Sequence, residues 1–151
     1  MAEVQESNRL SVFLVEDNPC DVALFRQMLR KCGGEYSLII VGDGIEAARR
    51  LNDVNLTKPD VVFLDLNLPG KSGTDVLREM KADPWLSAIP VAVLTASDDA
   101  DDYRVCKALG VDAYLNKAEA LQDFFALIAK IRAFLWSVSV TADRSLICSA
   151  A

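Results

Sequence analysis

The chain has 151 residues, a net charge of −6 and no histidine. Its length suits one domain with a real core, and 52% hydrophobic with 25% charged residues reads as ordered and globular. The acidic balance lacks the basic footprint of phosphate-backbone binding, so direct nucleic-acid binding is not expected. Without histidine, Ser-His-Asp and Cys-His catalysis are excluded, together with the commonest metal ligand. Chemistry here must run on carboxylates, hydroxyls, lysines, thiols or an oxygen-loving metal.

The opening residues 1–8 are polar and acidic, with no apolar run of signal-peptide length. Leu10–Val15 is a buried strand that stops at Glu16-Asp17-Asn18-Pro19, where Asn18 and Pro19 suit a helix N-cap and first position. Val22, Phe25, Met28, Leu29 and Cys32 then recur at helical spacing until Gly33-Gly34. A second strand, Leu38–Val41, leads to a short helix through Ile45, Ala48 and Leu51. Val61–Leu64 is the third strand and ends on Asp65; a Pro-Gly loop and a helix from Thr74 to Ala82 follow. Pro90–Thr95 is the fourth strand, with a helix from Tyr103 to Leu109 behind it. Ala113–Leu115 is a brief fifth strand, and a last helix runs from Glu119 to Trp136. No stretch approaches the ~20 apolar residues of a spanning helix. Cys20, Cys32, Cys106 and Cys148 form no CxxC pair, which fits reduced thiols in a cytoplasmic protein.

Five βα units with nearly continuous apolar strands predict a parallel sheet covered on both faces. Right-handed crossovers then give a doubly wound (βα)5 three-layer sandwich. The five-stranded order 2-1-3-4-5 is expected for it, which makes the ends of strands one, three and four neighbours. The domain is expected over residues 9–136, between an N-terminal extension (1–8) and a weakly ordered tail (137–151).

In such a sheet, ligands sit beyond the carboxyl ends of the strands. Strand one is followed there by Glu16 and Asp17, strand three by Asp65; strand four ends on Thr95, and Lys117 lies just past strand five. Taken singly, each has a plain structural reading: a helix cap, a turn residue, a solvated lysine. Jointly they put three carboxylates, a hydroxyl and an ammonium in one cleft. Three close carboxylates repel unless a cation joins them. All-oxygen ligands select a hard cation, best Mg²⁺, which commonly serves a phosphate. A carboxylate can itself be the nucleophile and form an aspartyl-phosphate, and Asp65 is best placed for that.

These segments resemble the receiver domains of response regulators. The resemblance rests on Leu14-Val-Glu-Asp-Asn18, Leu64-Asp-Leu-Asn-Leu-Pro-Gly70 with Gly73, Pro90-Val-Ala-Val-Leu-Thr-Ala96 and Tyr114-Leu-Asn-Lys117, in the family's order and spacing. It implies a flavodoxin-like fold, Asp65 as phosphoacceptor, and Glu16 and Asp17 as acidic metal-site residues. It further implies that the Asn67 backbone carbonyl completes the Mg²⁺ shell, that Lys117 pairs with the phosphoryl group, and that Thr95 and Tyr114 form the switch. The side chains of Asn67 and Ser97 would flank the water path and tune the phosphoryl lifetime. The implied donor is a sensor histidine kinase. Glu16-Asp-Asn-Pro-Cys-Asp21, Leu86-Ser-Ala-Ile-Pro90 and Phe134-Leu-Trp136 further resemble the small regulators associated with bacterial phytochrome kinases. One departure is Ala118, where most receivers have proline after the lysine; a cis bond without proline costs about 2.5–4 kcal/mol, which favours a trans loop.

Other features are weaker. Gly70-Lys71-Ser72 resembles a P-loop end, but the required upstream glycine is Asp65. The Asp98, Asp99, Asp101, Asp102 cluster suits an acidic helix start better than a Ca²⁺ loop. A flavin electron carrier of the same sheet order would need a hydroxyl- and glycine-rich loop where Glu16 and Asp17 stand. On the last helix, Leu121, Phe124, Ile128, Ile131 and Leu135 form the expected core stripe. Phe125, Leu127, Phe134 and Trp136 widen it into an expected homodimer face.

Overall fold

The computed structural model describes residues 9–150, with side chains over residues 9–141. Five parallel strands, β1 (Leu10–Val15), β2 (Tyr36–Val41), β3 (Val61–Leu64), β4 (Val91–Thr95) and β5 (Ala113–Asn116), form one sheet of order β2-β1-β3-β4-β5. Between them run α1 (Pro19–Lys31), α2 (Gly44–Asn52), α3 (Gly73–Ala82) and α4 (Ala100–Ala108), with a 3-10 turn at Leu86–Ala88. After β5 come a single turn, α5 (Glu119–Gln122), and a long helix, α6 (Phe124–Ala150).

Alternation along each strand divides the core into two layers. Val12 and Leu14 of β1, with Val61 and Phe63 of β3, face α1 and α6, where Phe25, Met28, Leu127, Ile128 and Ile131 are buried. Phe13 and Val15, with Val62 and Leu64, face the other way, onto Ala47, Leu51, Val76, Leu77, Met80 and Cys106 of α2, α3 and α4. Phe63 is gripped between Phe25 and Phe134, with ring centroids 4.9 and 5.7 Å away. The sheet, buried on both sides, is the three-layer arrangement that the strand pattern predicts.

Local chemistry sets the helix starts at the carboxyl edge of the sheet. The Asn18 side chain accepts from the Cys20 N–H at 2.9 Å, with Pro19 at the first position of α1. Asp43 caps α2, Ser72 caps α3 and Asp99 caps α4. The acidic run at 98–102 is therefore largely helix-start chemistry, as its composition suggests. Gly33 and Gly34 have φ of 73° and 102°, a left-handed backbone that ends α1.

The end of the chain differs from expectation. The helix expected over Glu119–Trp136 is broken at Asp123, whose φ is −152° and whose side chain accepts from the Ala126 N–H at 3.0 Å, so Asp123 caps a new helix. The break resets the helical phase: Leu121, expected in the core stripe, is 93% exposed on α5. Past Trp136 the chain is helical, not a loose tail, and Val138 joins the core one turn below Leu135. Residues 1–8, the expected extension, lie outside the described residues. Over Phe124–Thr141, α6 is apolar enough by length and composition to cross a membrane, contrary to expectation. Its buried face, Leu127, Ile128, Ile131 and Leu135, gives that apolarity a place in the core.

The expected dimer face also changes. Leu127 is fully buried and so leaves the outer surface, whereas Phe134 is half-buried and packs edge-on against Phe63. Phe125 and Trp136 remain 73% and 70% exposed.

Candidate functional site

Backbone pairing carries past the strand ends and fixes the acidic residues. The Glu16 N–H donates to the Val41 carbonyl at 2.9 Å, and the Asp65 N–H to the Val15 carbonyl at 3.0 Å. The Lys117 N–H donates to the Thr95 carbonyl at 2.8 Å. Glu16, Asp65 and Lys117 thus inherit the rigidity of the sheet although each sits just beyond a strand. Gly73, at the start of α3, lies so close under Asp65 that a Cβ there would stand 2.1 Å from the Asp65 carbonyl oxygen.

One carboxylate oxygen each from Glu16, Asp17 and Asp65 come within 4.8 Å of one another, with Glu16 and Asp65 buried and Asp17 exposed. The Lys117 ammonium donates to Glu16 Oε2, to Asp65 Oδ2 at 3.1 Å and to Asp21 Oδ2 at 2.9 Å. Burial pushes the Glu16 carboxyl up, the Lys117 hydrogen bond and the Asn18 N–H pull it back, and Asp65 pushes it up again. Burial disfavours the Lys117 charge, but the carboxylates of Glu16, Asp21 and Asp65 outweigh that and hold its pKa above the ordinary lysine value. Four carboxylates against one ammonium leave the cluster with surplus negative charge. An all-oxygen set without histidine or sulfur fits a hard divalent cation.

The remaining predicted residues surround this centre. Asn67 is exposed, and its N–H donates to Asp65 Oδ1 at 3.2 Å. Thr95 is fully buried, and its hydroxyl oxygen accepts from the Ser97 N–H at 3.2 Å. The Ser97 hydroxyl donates to Asp102 Oδ2 at 2.6 Å, so it is tied to α4. The Tyr114 ring meets Tyr103 edge-on at 5.2 Å, and its buried hydroxyl has no hydrogen-bond partner among the described residues. Burial, with the nearby Cys106, Asp102 and Asp99, pushes its phenol up to about 12. The Lys117–Ala118 peptide is trans, since no cis bond occurs among the described residues. Cys20 is exposed, Cys32 and Cys106 are buried free thiols, and Cys148 lies outside the described side chains.

Asp21 is the member of the site that sequence reasoning missed. It stands in the first turn of α1, four residues beyond Asp17. The Asn18-Pro19 helix start was legible and would have placed Asp21 at the same sheet edge.

The profile of the response regulator receiver domain matches residues 12–129, which hold every one of these residues. The chain belongs to the response-regulator receiver family. It is 39% identical over 134 residues to the response regulator Rcp1 of Synechocystis sp. (strain ATCC 27184 / PCC 6803 / Kazusa), covering 86% of this chain and 90% of Rcp1. The crystal structure of the Mn²⁺-bound form of Rcp1 superposes with a TM-score of 0.77, at 38% identity over 83% of this chain and 94% of that one. The phosphorylated cyanobacterial phytochrome response regulator RcpA gives 0.74 at 38% identity, covering 83% and 93%. A third relative is the receiver domain of the sensor histidine kinase PA1611 from Pseudomonas aeruginosa PAO1, whose structure has a magnesium ion coordinated in its active-site cleft. It gives 0.61 at 30% identity, covering 80% and 98%. The chain spans about half the length of several other response regulators to which it is 33–40% identical. This receiver is thus a signalling component of a two-component system and a homologue of phytochrome response regulators, of a family that partners with sensor histidine kinases.

Proposed function

We propose that the receiver accepts a phosphoryl group on Asp65 from the phosphohistidine of a sensor kinase, one of phytochrome type. The observation that carries this is the pairing of Asp65 with Lys117 inside a cluster of converging carboxylates at the sheet's carboxyl edge. Glu16, Asp17 and Asp65 would hold Mg²⁺, with the Asn67 backbone carbonyl as a further oxygen ligand. When bound, the ion neutralises charge on the transferring group and on the carboxylates around it. An Asp65 carboxylate oxygen bonds to phosphorus as the phosphorus–nitrogen bond to the kinase imidazole breaks, and that nitrogen keeps the electron pair. The existence of an Mn²⁺-bound form of Rcp1 and of a phosphorylated RcpA supports the reading.

Each partner residue has a role that follows from its chemistry. Lys117 supplies a point charge to the phosphoryl oxygens. Thr95, buried at the end of β4, turns its hydroxyl to the new group, and Tyr114, whose hydroxyl has no hydrogen-bond partner among the described residues, follows inward. Movement of these two reshapes the face of α4, β5 and the helices after it, biasing an existing equilibrium between two surfaces. Water attack on the phosphoryl group resets the switch. Asn67 and Ser97 set the lifetime by flanking its path. The receiver catalyses its own phosphorylation and dephosphorylation, and its output is a change in partner binding or self-association. The exposed Phe125 and Trp136 of α6, with Leu121, supply the apolar surface for pairing with a second copy.

Incubation with Mg²⁺ and a small acyl-phosphate, followed by intact mass, tests the reading. A phosphoryl adduct is expected on the unaltered protein and none on Asp65→Asn. No adduct at any Mg²⁺ concentration overturns it.

A further inference from the structure

The three carboxylates that accept from Lys117 are not equivalent. Glu16 and Asp65 belong to the trio whose oxygens converge within 4.8 Å; Asp21 does not. A cation held by that trio draws on oxygens of two of the three Lys117 partners. Asp21 Oδ2, at 2.9 Å, is the partner outside the trio. It also differs in environment: its side chain is 33% exposed, against 4% for Glu16 and 7% for Asp65. A carboxylate on that rim keeps its hydration and charge at little cost. It is carried on the first turn of α1, whose start is fixed by the Asn18 cap and Pro19, whereas Glu16, Asp17 and Asp65 stand in the connections that follow strands.

We infer that Asp21 is a positioning residue for Lys117, holding its ammonium at the cleft while the metal and the incoming phosphoryl group engage Glu16 and Asp65. This rests on Asp65 being the phosphoacceptor. A lysine on a flexible four-carbon stem loses considerable rotamer freedom each time it docks. A tether that survives metal binding removes that cost from the transfer step. The ammonium has three donors, so one can stay on Asp21 while others turn to phosphoryl oxygens.

Two measurements on the full chain test the inference. First, with saturating Mg²⁺, Asp21→Asn takes phosphoryl from an acyl-phosphate about tenfold more slowly, the scale of one lost charge-assisted hydrogen bond, and Asp21→Glu recovers most of the rate. Second, again with Mg²⁺, an amine-acylating ester labels Lys117 several-fold faster in Asp21→Asn, read by peptide mass. Surface lysines such as Lys31 serve as the internal reference and are unchanged. A merely structural Asp21 would not free Lys117 selectively. An Asp21→Asn protein with an unchanged phosphorylation rate, or unchanged Lys117 labelling, overturns the inference. If the unaltered protein takes no phosphoryl group, the Asp65 reading falls and the inference falls with it. The labelling result still reports whether Asp21 holds Lys117, so the two failures are told apart.

Discussion

Lys117 serves both function and stability. Glu16, 4% exposed, has its carboxyl pushed up by burial, and the Lys117 ammonium against it pulls it back toward the charged form. Lys117→Ala leaves a buried carboxylate without its counter-charge, an arrangement that costs on the order of 3 kcal/mol. Urea denaturation without metal should register that loss, and saturating Mg²⁺ should shrink it, because a cation again faces Glu16. An equal loss with and without Mg²⁺ would contradict the shared site. Tyr114 gives a pH prediction. An unfolded tyrosine loses its proton near pH 10, whereas folded Tyr114 holds its proton to about 12. Between those values the folded state binds more protons, so this contribution to stability is intact below about pH 10 and lost as pH rises toward 12. In Tyr114→Phe the decline in stability over that window should be shallower than in the unaltered protein.

The elements matter here through what they hold in place. The β3–α3 connection carries Asp65, and the first residue of α3 is glycine for want of space: a Cβ on Gly73 would lie 2.1 Å from the Asp65 carbonyl oxygen and 2.6 Å from Leu66 Cα. Gly73→Ala must therefore push the Asp65 backbone, costing about 1–3 kcal/mol by overpacking. Slower phosphorylation with a lowered melting temperature is the expected result; an unchanged rate would mean that the loop absorbs the shift elsewhere. The helix α6 is a second case. Leu127 and Ile131 are fully buried against the sheet, so truncating either to alanine should cost about 2–5 kcal/mol, measurable by denaturant midpoint. The same truncation at exposed Phe125 should leave monomer stability nearly unchanged. That contrast separates the core face of α6 from its outer one.

At the scale of the molecule, exposed aromatics and an acidic active edge point to protein partners. If the outer face of α6 pairs two copies, sedimentation at tens of micromolar, a concentration suited to weak interfaces, should give a dimer. A double Phe125→Ala, Trp136→Ala variant should sediment as a monomer, and a monomeric unaltered protein would remove the proposal. Much of this molecule was legible beforehand. Short apolar strands, each closed by a polar residue, and caps such as Asn18-Pro19 specify five βα units locally, and a parallel sheet follows from burial on both faces. Glu16, Asp17, Asp65 and Lys117 were legible for the same reason, since each follows a strand directly and every strand end meets one edge. The absent histidine was legible too: it excludes histidine-based catalysis within this chain. What only the tertiary structure decided are relations between distant residues and the phase of the last helices. The Lys117–Asp21 contact spans 96 positions, and no local pattern encodes it. Asp123 could equally sit inside a helix or cap one, and Val138 is a poor helix former until the core rewards its burial. Leu127, Phe134 and Leu121 read alike as apolar letters, and packing against Phe63 and the sheet sorted them. Propensity and periodicity act over a few residues, whereas burial and charge pairing depend on surfaces that exist only after the chain has closed on itself.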